Sequence, residues 1–121
     1  AQALAAVDYI KRYVFPGSFI PSISAMLAAK TRAGDLQLVH LEDFGLSYAR
    51  TLHAWRTRFL EARDPARALG YDERFLRLWE FYLAYCEGGF LERSIGVSHL
   101  LLARPDARPP HGDRWVVEAG A

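Results

Sequence analysis

An α/β fold, rich in helix and carrying about two strands, is predicted by three features of this sequence. Apolar residues recur at intervals of three and four along most of the 121 residues, the spacing that gathers side chains on one helical face. Two short apolar runs, Leu36 to Glu42 and Val97 to Ala103, break that rhythm as strands do. Helical segments flank both runs, which is the alternation of an α/β chain.

Leu4, Val7, Ile10 and Val14 predict an amphipathic helix over 3–14, stopped by the turn residues Phe15-Pro16-Gly17-Ser18. Pro21 and Ser22 then start a second helix through Ile23, Met26 and Leu27, with Gly34 as its stop. In the first strand, Leu38-Val39-His40-Leu41 is nearly continuous, as expected where both faces are covered. Ser47 reads as the N-cap of a third helix, since its hydroxyl can accept from a first-turn amide. Tyr48, Leu52, Trp55 and Phe59 follow at spacings of four, three and four, so one face carries all four.

Asp64-Pro65 either breaks this helix or opens a short one that Gly70 closes. Asp72 reads as the cap of a fourth helix, with Phe75, Leu78, Trp79, Tyr82, Cys86 and Phe90 along one stripe. Glu73 and Arg77 form a favourable i,i+4 pair on it. Gly88-Gly89 weakens its late turns by about 1 kcal/mol per glycine relative to alanine, which fits close packing, a kink or a helix end. After the second strand, Arg104-Pro105 through Pro109-Pro110 reads as a tail in which Trp115-Val116-Val117 docks or stays loose.

With 51% hydrophobic residues the chain can build one core. Lys+Arg 15 against Asp+Glu 14 leaves a net charge of +1, so the clustered positive charge of a nucleic-acid binder is not expected. Arg50, Arg56, Arg58, Arg63 and Arg67 are interspersed with acids and read as a solvated face, with lipid phosphate as the alternative. A single cysteine, Cys86, makes neither an internal disulfide nor a thiolate zinc site. His40, His53, His99 and His111 are scattered without metal-ligand spacing. A cytoplasmic setting follows, with peripheral docking at the inner membrane face open because no apolar stretch approaches the ~20 residues of a span. The chain does not open on Met, which is compatible with an excised segment.

The succession Tyr13-Val14-Phe15-Pro16-Gly17, Ile20-Pro21-Ser22, Leu41-Glu42-Asp43-Phe44-Gly45-Leu46-Ser47-Tyr48 to Trp55, Tyr71-Asp72-Glu73-Arg74-Phe75, and Tyr82-Leu83-Ala84-Tyr85-Cys86 to Phe90 resembles the cyclopropane-fatty-acyl-phospholipid synthase family. That family includes the mycolic acid cyclopropane synthases, and the likeness covers about residues 5 to 103. Each motif alone is weak, and their shared order makes them specific. The resemblance implies that residues 1–104 are the C-terminal segment of a Rossmann-like methyltransferase domain, with a Pro-rich tail over 105–121. It implies S-adenosylmethionine as methyl donor, bicarbonate as base, and the unsaturated acyl chain of a phospholipid as acceptor.

By resemblance, Phe15 is the aromatic ring beside the reacting carbon, Tyr48 holds bicarbonate through its hydroxyl, and Leu52 and Tyr82 line the acyl channel. Cys86 matches the cysteine traditionally assigned to the active site. Such chemistry explains the residue types: an alkene is a weak nucleophile, so its partner must be held in line, and aromatic faces stabilise a transient cation without attacking it. A thiolate would itself be alkylated, which lowers the mechanistic weight of Cys86. No Gly-rich loop follows a strand to receive S-adenosylmethionine, the family's upstream bicarbonate ligands precede the matched region, and Gly17-Ser18 replaces its glycine pair. The segment alone is therefore expected to be inactive. Two alternatives stand beside this reading: a noncatalytic lipid-binding or self-associating module, here a homo-oligomer, and a same-family methyltransferase making a branched or hydroxylated chain.

Overall fold

The computed structural model describes residues 9–109. In chain order its elements are a short π-helix (Ile10–Val14), α1 (Ile23–Ala33), β1 (Gln37–Asp43), α2 (Gly45–Glu61), α3 (Arg63–Ala68), α4 (Glu73–Leu91) and β2 (Ser98–Ala103). They divide into two compact units: residues 9–18 with Phe44–Val97, and Phe19–Asp43 with 98–109. Residues 3–8 of the first predicted helix, the Trp115-Val116-Val117 segment and His111 lie outside the described residues.

In the first unit α2 packs against α4. Ala49 and Leu52 of α2 meet Leu83, Cys86 and Phe90 of α4 in one buried cluster. Leu52 and Leu76 are the most deeply enclosed large side chains of this unit, each stabilising it by about 1.5 to 3 kcal/mol through the water its surface sheds. The predicted α2 stripe is confirmed at Leu52, and Tyr48 and Phe59 pack on the cluster from its margin. Trp55 departs from it, remaining 46% exposed.

The predicted α4 stripe holds at Cys86 and Phe90 and is shifted by a residue in the earlier turns. Leu76, Leu83, Cys86 and Phe90 are the buried positions, while Phe75, Leu78, Trp79 and Tyr82 lie half-buried beside them. Leu76, Leu83, Cys86 and the Phe90 ring fill the seam, and the rings of Phe75, Trp79 and Tyr82 lie at its edge.

Helix ends follow local chemistry in most places. Asp72 caps α4, its Oδ1 accepting from the Phe75 amide at 2.8 Å, and Ser22 caps α1 by accepting from the Ala25 amide at 3.1 Å. Asp64-Pro65 opens a helix rather than only breaking one: Pro65 occupies the first turn of α3, where its missing N–H costs nothing. Gly70 then turns the chain at φ +97°, a conformation that favours glycine.

Ser47 is not a cap. Helix α2 starts at Gly45 because the Phe44 amide donates to the Val97 carbonyl at 3.1 Å while the Phe44 carbonyl accepts from the Tyr48 amide at 3.0 Å. That long-range bond ends the strand and begins the helix together, leaving Ser47 inside the first turn.

The Glu73–Arg77 side-chain pair also gives way. The Glu73 carboxylate accepts from Arg67 Nε at 2.6 Å and Arg63 at 3.4 Å, while Arg77 donates to the Glu73 backbone carbonyl at 3.4 Å. The arginines of α3 bring forked donors to the carboxylate, and they hold Glu73 below the usual carboxylate range, Arg67 foremost by its hydrogen bond. Of the arginines in the predicted solvated set, Arg56, Arg63 and Arg67 are thus engaged with acidic side chains.

In the second unit β1 and β2 pair antiparallel, from Gln37 opposite Ala103 to Asp43 opposite Ser98, with an irregularity between Leu38 and His40. The expectation that both faces of β1 are covered fails: only Val39 and His40 are half-buried, and the other five residues are exposed. Its sole strand neighbour among the described residues is β2, so the continuous apolar run is not buried between layers.

Candidate active site

Phe15, Tyr48, Leu52, Tyr82 and Cys86 all fall in the first unit. Phe15 is delivered by the π-helix, whose wide turn closes with the Phe15 amide donating to the Ile10 carbonyl at 2.8 Å. Single π-turns are a recurring device for aiming a side chain. The chain then reverses, with Gly17 at φ +79° and the Ser18 amide donating to the Phe15 carbonyl at 3.0 Å. Half-exposed after this turn, the Phe15 ring meets Tyr82 edge to face, with centroids 6.0 Å apart at 80°.

Tyr82 continues an aromatic series along α4. Trp79 lies 5.0 Å from it, Phe75 stacks 5.9 Å from Trp79, and Tyr71 stacks 4.6 Å from Phe75. Tyr48, one turn into α2, meets Phe90 at 5.0 Å and 72° and Trp55 at 6.1 Å and 80°. Those contacts fix its ring, and its hydroxyl makes no hydrogen bond among the described residues. Leu52, 2% exposed, and Cys86 belong to the buried cluster on which Tyr48 and Tyr82 pack.

The Cys86 thiol is buried, and burial pushes its pKa up, opposed in part by a hydrogen bond from Tyr82. The protonated thiol is the form this site favours, which removes the nucleophilic thiolate. Burial likewise raises the Tyr82 hydroxyl, with Cys86 adding to the effect. Both groups are neutral at physiological pH, so neither brings charge beside the Phe15–Tyr82 pair.

Glu87 binds His53 Nδ1 at 2.8 Å and Arg56 Nε at 3.1 Å, tying α2 to α4. Among the described residues no three His, Cys, Asp or Glu side chains converge as a metal site would require. The direct strand-to-helix connection, Asp43 through Gly45, carries one glycine, and that glycine is buried.

Three residues of this unit were missed from the sequence. Tyr9 donates its hydroxyl to the Leu78 carbonyl at 2.6 Å and packs its ring on Phe81 at 4.6 Å. Its partners lie about seventy positions away, and no local spacing signals them. Leu76 and Leu83 were missed as buried positions, although their interval of seven, continued by Cys86 and Phe90, was present in the sequence.

Residues 1–100 match the family described as mycolic acid cyclopropane synthetase. Among curated relatives, the chain is 40% identical over 96 residues to the tuberculostearic acid methyltransferase of Mycobacterium tuberculosis, covering 79% of this chain and 22% of that protein. It is 34% identical over 96 residues to the cyclopropane-fatty-acyl-phospholipid synthase of Escherichia coli K12, covering 79% and 24%. The solved cyclopropane synthase MmaA2 of Mycobacterium tuberculosis superposes with a TM-score of 0.75 at 27% identity, over 79% of this chain and 33% of that one. The chain thus spans about a quarter of the length of the curated relatives it matches.

Proposed function

Because the chain belongs to the mycolic acid cyclopropane synthetase family, we propose that it supplies the acyl-channel wall of an S-adenosylmethionine-dependent methyltransferase that cyclopropanates unsaturated acyl chains of phospholipids. The observation that carries this reading is the edge-to-face pair of Phe15 and Tyr82, with Tyr82 packed on the buried cluster that holds Leu52 and Cys86. In this reading residues 1–104 are the C-terminal segment of the catalytic domain and 105–121 its tail. The protein works in the cytoplasm with peripheral contact at the inner membrane face; no helix among the described residues is long and apolar enough to cross a membrane.

The described residues do not fit an S-adenosylmethionine site, since the strand-to-helix connection at Asp43 to Gly45 lacks the glycine-rich turn that such a ligand requires. The role of this chain is toward the acyl substrate. Leu52 and Cys86 exclude water, and the faces of Phe15 and Tyr82 stabilise cationic charge on the acyl chain by roughly 0.5 to 2 kcal/mol each. Bicarbonate, when bound, supplies a base, and the Tyr48 hydroxyl fits it as one donor because the ring is fixed by Phe90 and Trp55 while the oxygen has no partner among the described residues.

Replacing Tyr48 by Phe in the intact protein tests this. Turnover should fall about a hundredfold, the scale of losing control of a proton transfer, with S-adenosylmethionine affinity unchanged by calorimetry. Unchanged turnover would remove Tyr48 from the mechanism.

A second reading is favoured by a separate observation. The second unit exposes Phe19, Ile20, Met26, Leu38, Leu41 and Leu102, apolar surface of the kind that a lipid or a second copy covers. A noncatalytic module would therefore bind lipid or self-associate as a homo-oligomer; a stable monomer by light scattering argues against the latter. Product mass spectrometry on the intact protein separates cyclopropanation from the branched or hydroxylated products of a same-family methyltransferase.

A further inference from the structure

The π-helix that delivers Phe15 is short, and its own hydrogen bonds do not fix where it lies on α4. Something outside it must set that position. Tyr9, immediately before the π-helix, provides the attachment. Its hydroxyl donates to the Leu78 carbonyl at 2.6 Å, and its ring contacts Phe81 at 4.6 Å, Tyr85 at 6.1 Å and Tyr13 at 5.6 Å.

The acceptor carbonyl belongs to the residue four before Tyr82, so this bond and the Phe15–Tyr82 contact engage the same turn of α4. One end of the π-helix is bonded to that turn, and the other end presents the ring that meets it. We propose that Tyr9 is a positioning residue which registers the Phe15 segment on α4 and so holds the Phe15 ring against Tyr82; this rests on the reading of Phe15 given above.

The hydroxyl oxygen, rather than the ring alone, is the specific element. Aromatic packing on Phe81 and Tyr85 tolerates sliding, whereas a hydrogen bond to one carbonyl fixes one register. Burial raises the Tyr9 pKa, followed by the influence of Cys86 and Tyr13, which keeps the hydroxyl a proton donor.

Turnover by Tyr9→Phe, Phe15→Leu and the double variant of the intact protein, with thermal unfolding followed in parallel, tests the proposal. Tyr9→Phe keeps the ring and deletes one oxygen. Its kcat should fall about tenfold, as expected when a reacting group is slightly misplaced, with KM for the lipid changed less than about twofold. In the Phe15→Leu background the same change should cost almost nothing further, because Tyr9 acts through Phe15.

Full turnover by Tyr9→Phe would overturn the proposal, as would losses that multiply in the double variant. Loss of helical circular dichroism in Tyr9→Phe would also overturn it, since the hydroxyl would then be holding the fold. If Phe15→Leu itself turns over normally, it is the underlying reading of Phe15 that fails.

Discussion

The ring of Phe15 stands edge to face with that of Tyr82, centroids 6.0 Å apart and planes at 80°. These residues come from segments 67 positions apart in sequence, a π-helix exit and the middle of a long helix. In such a pair the edge of one ring meets one face of the other, so each ring keeps a face that its partner does not cover, and a face is what attracts a cation.

If the Tyr82 ring acts by its face, the ring matters and the hydroxyl does not. Tyr82→Leu in the intact protein should lower kcat/KM about tenfold, equivalent to ~1.4 kcal/mol and within the range of one cation–π contact. Tyr82→Phe should stay within about twofold. Steady-state kinetics on the lipid substrate checks both, and equal losses would shift the role to the hydroxyl.

Burial raises the thiol of Cys86, and the sign of its pH effect follows. The folded protein keeps that proton to higher pH than the unfolded chain does. Stability from this group is therefore complete below the unfolded thiol pKa of about 8.5 and is lost as pH rises through the higher folded value. Urea unfolding across the alkaline range should show stability falling, and Cys86→Ala should flatten the first part of that fall. Tyr9 and Tyr82, also raised by burial, contribute in the same direction above the ordinary tyrosine range, so their share survives the substitution. An unaltered slope in Cys86→Ala would show that the thiol is not the group titrating.

What the sequence revealed and what it hid divide along distance in the chain. Ser22 and Asp72 were legible because each cap bonds an amide three residues on, a relationship contained in the local residue order. Ser47 has the same chemistry and misled, since the start of α2 is set by Phe44 bonding to Val97 across the unit. Glu73 was assigned to Arg77 by helical spacing and taken by Arg67 and Arg63 from another helix. The candidate site residues came from the order of weak motifs, whereas Tyr9, whose acceptor lies 69 positions away, had no local signature.

Leu52 tests the packing beneath Tyr48 and Tyr82. It is 2% exposed between α2 and α4, and Leu52→Ala removes three heavy atoms that neighbouring side chains cannot replace. Unfolding of the intact protein in urea should show a loss of about 2 to 5 kcal/mol. A loss below 1 kcal/mol would mean that the site collapses around the gap.

The two adjacent glycines of α4 should respond differently to the same methyl group. A Cβ at Gly88 meets nothing within 4 Å, whereas one at Gly89 falls 3.0 Å from Ile95 Cδ1 and 3.1 Å from Cγ1. Both sit inside the helix, so alanine gains about 0.5 to 1 kcal/mol at either position from restricted backbone freedom. At Gly88 that gain is unopposed, and Gly88→Ala should stabilise the protein by this amount. At Gly89 the Ile95 side chain must move, and Ile95 packs against the buried cluster through its apolar surface. Displacing it offsets the helical gain, so Gly89→Ala should be neutral or destabilising. Thermal unfolding of the two variants side by side decides the matter: an equal rise in Tm for both would show that Ile95 yields freely and that the glycine at 89 is not required by packing.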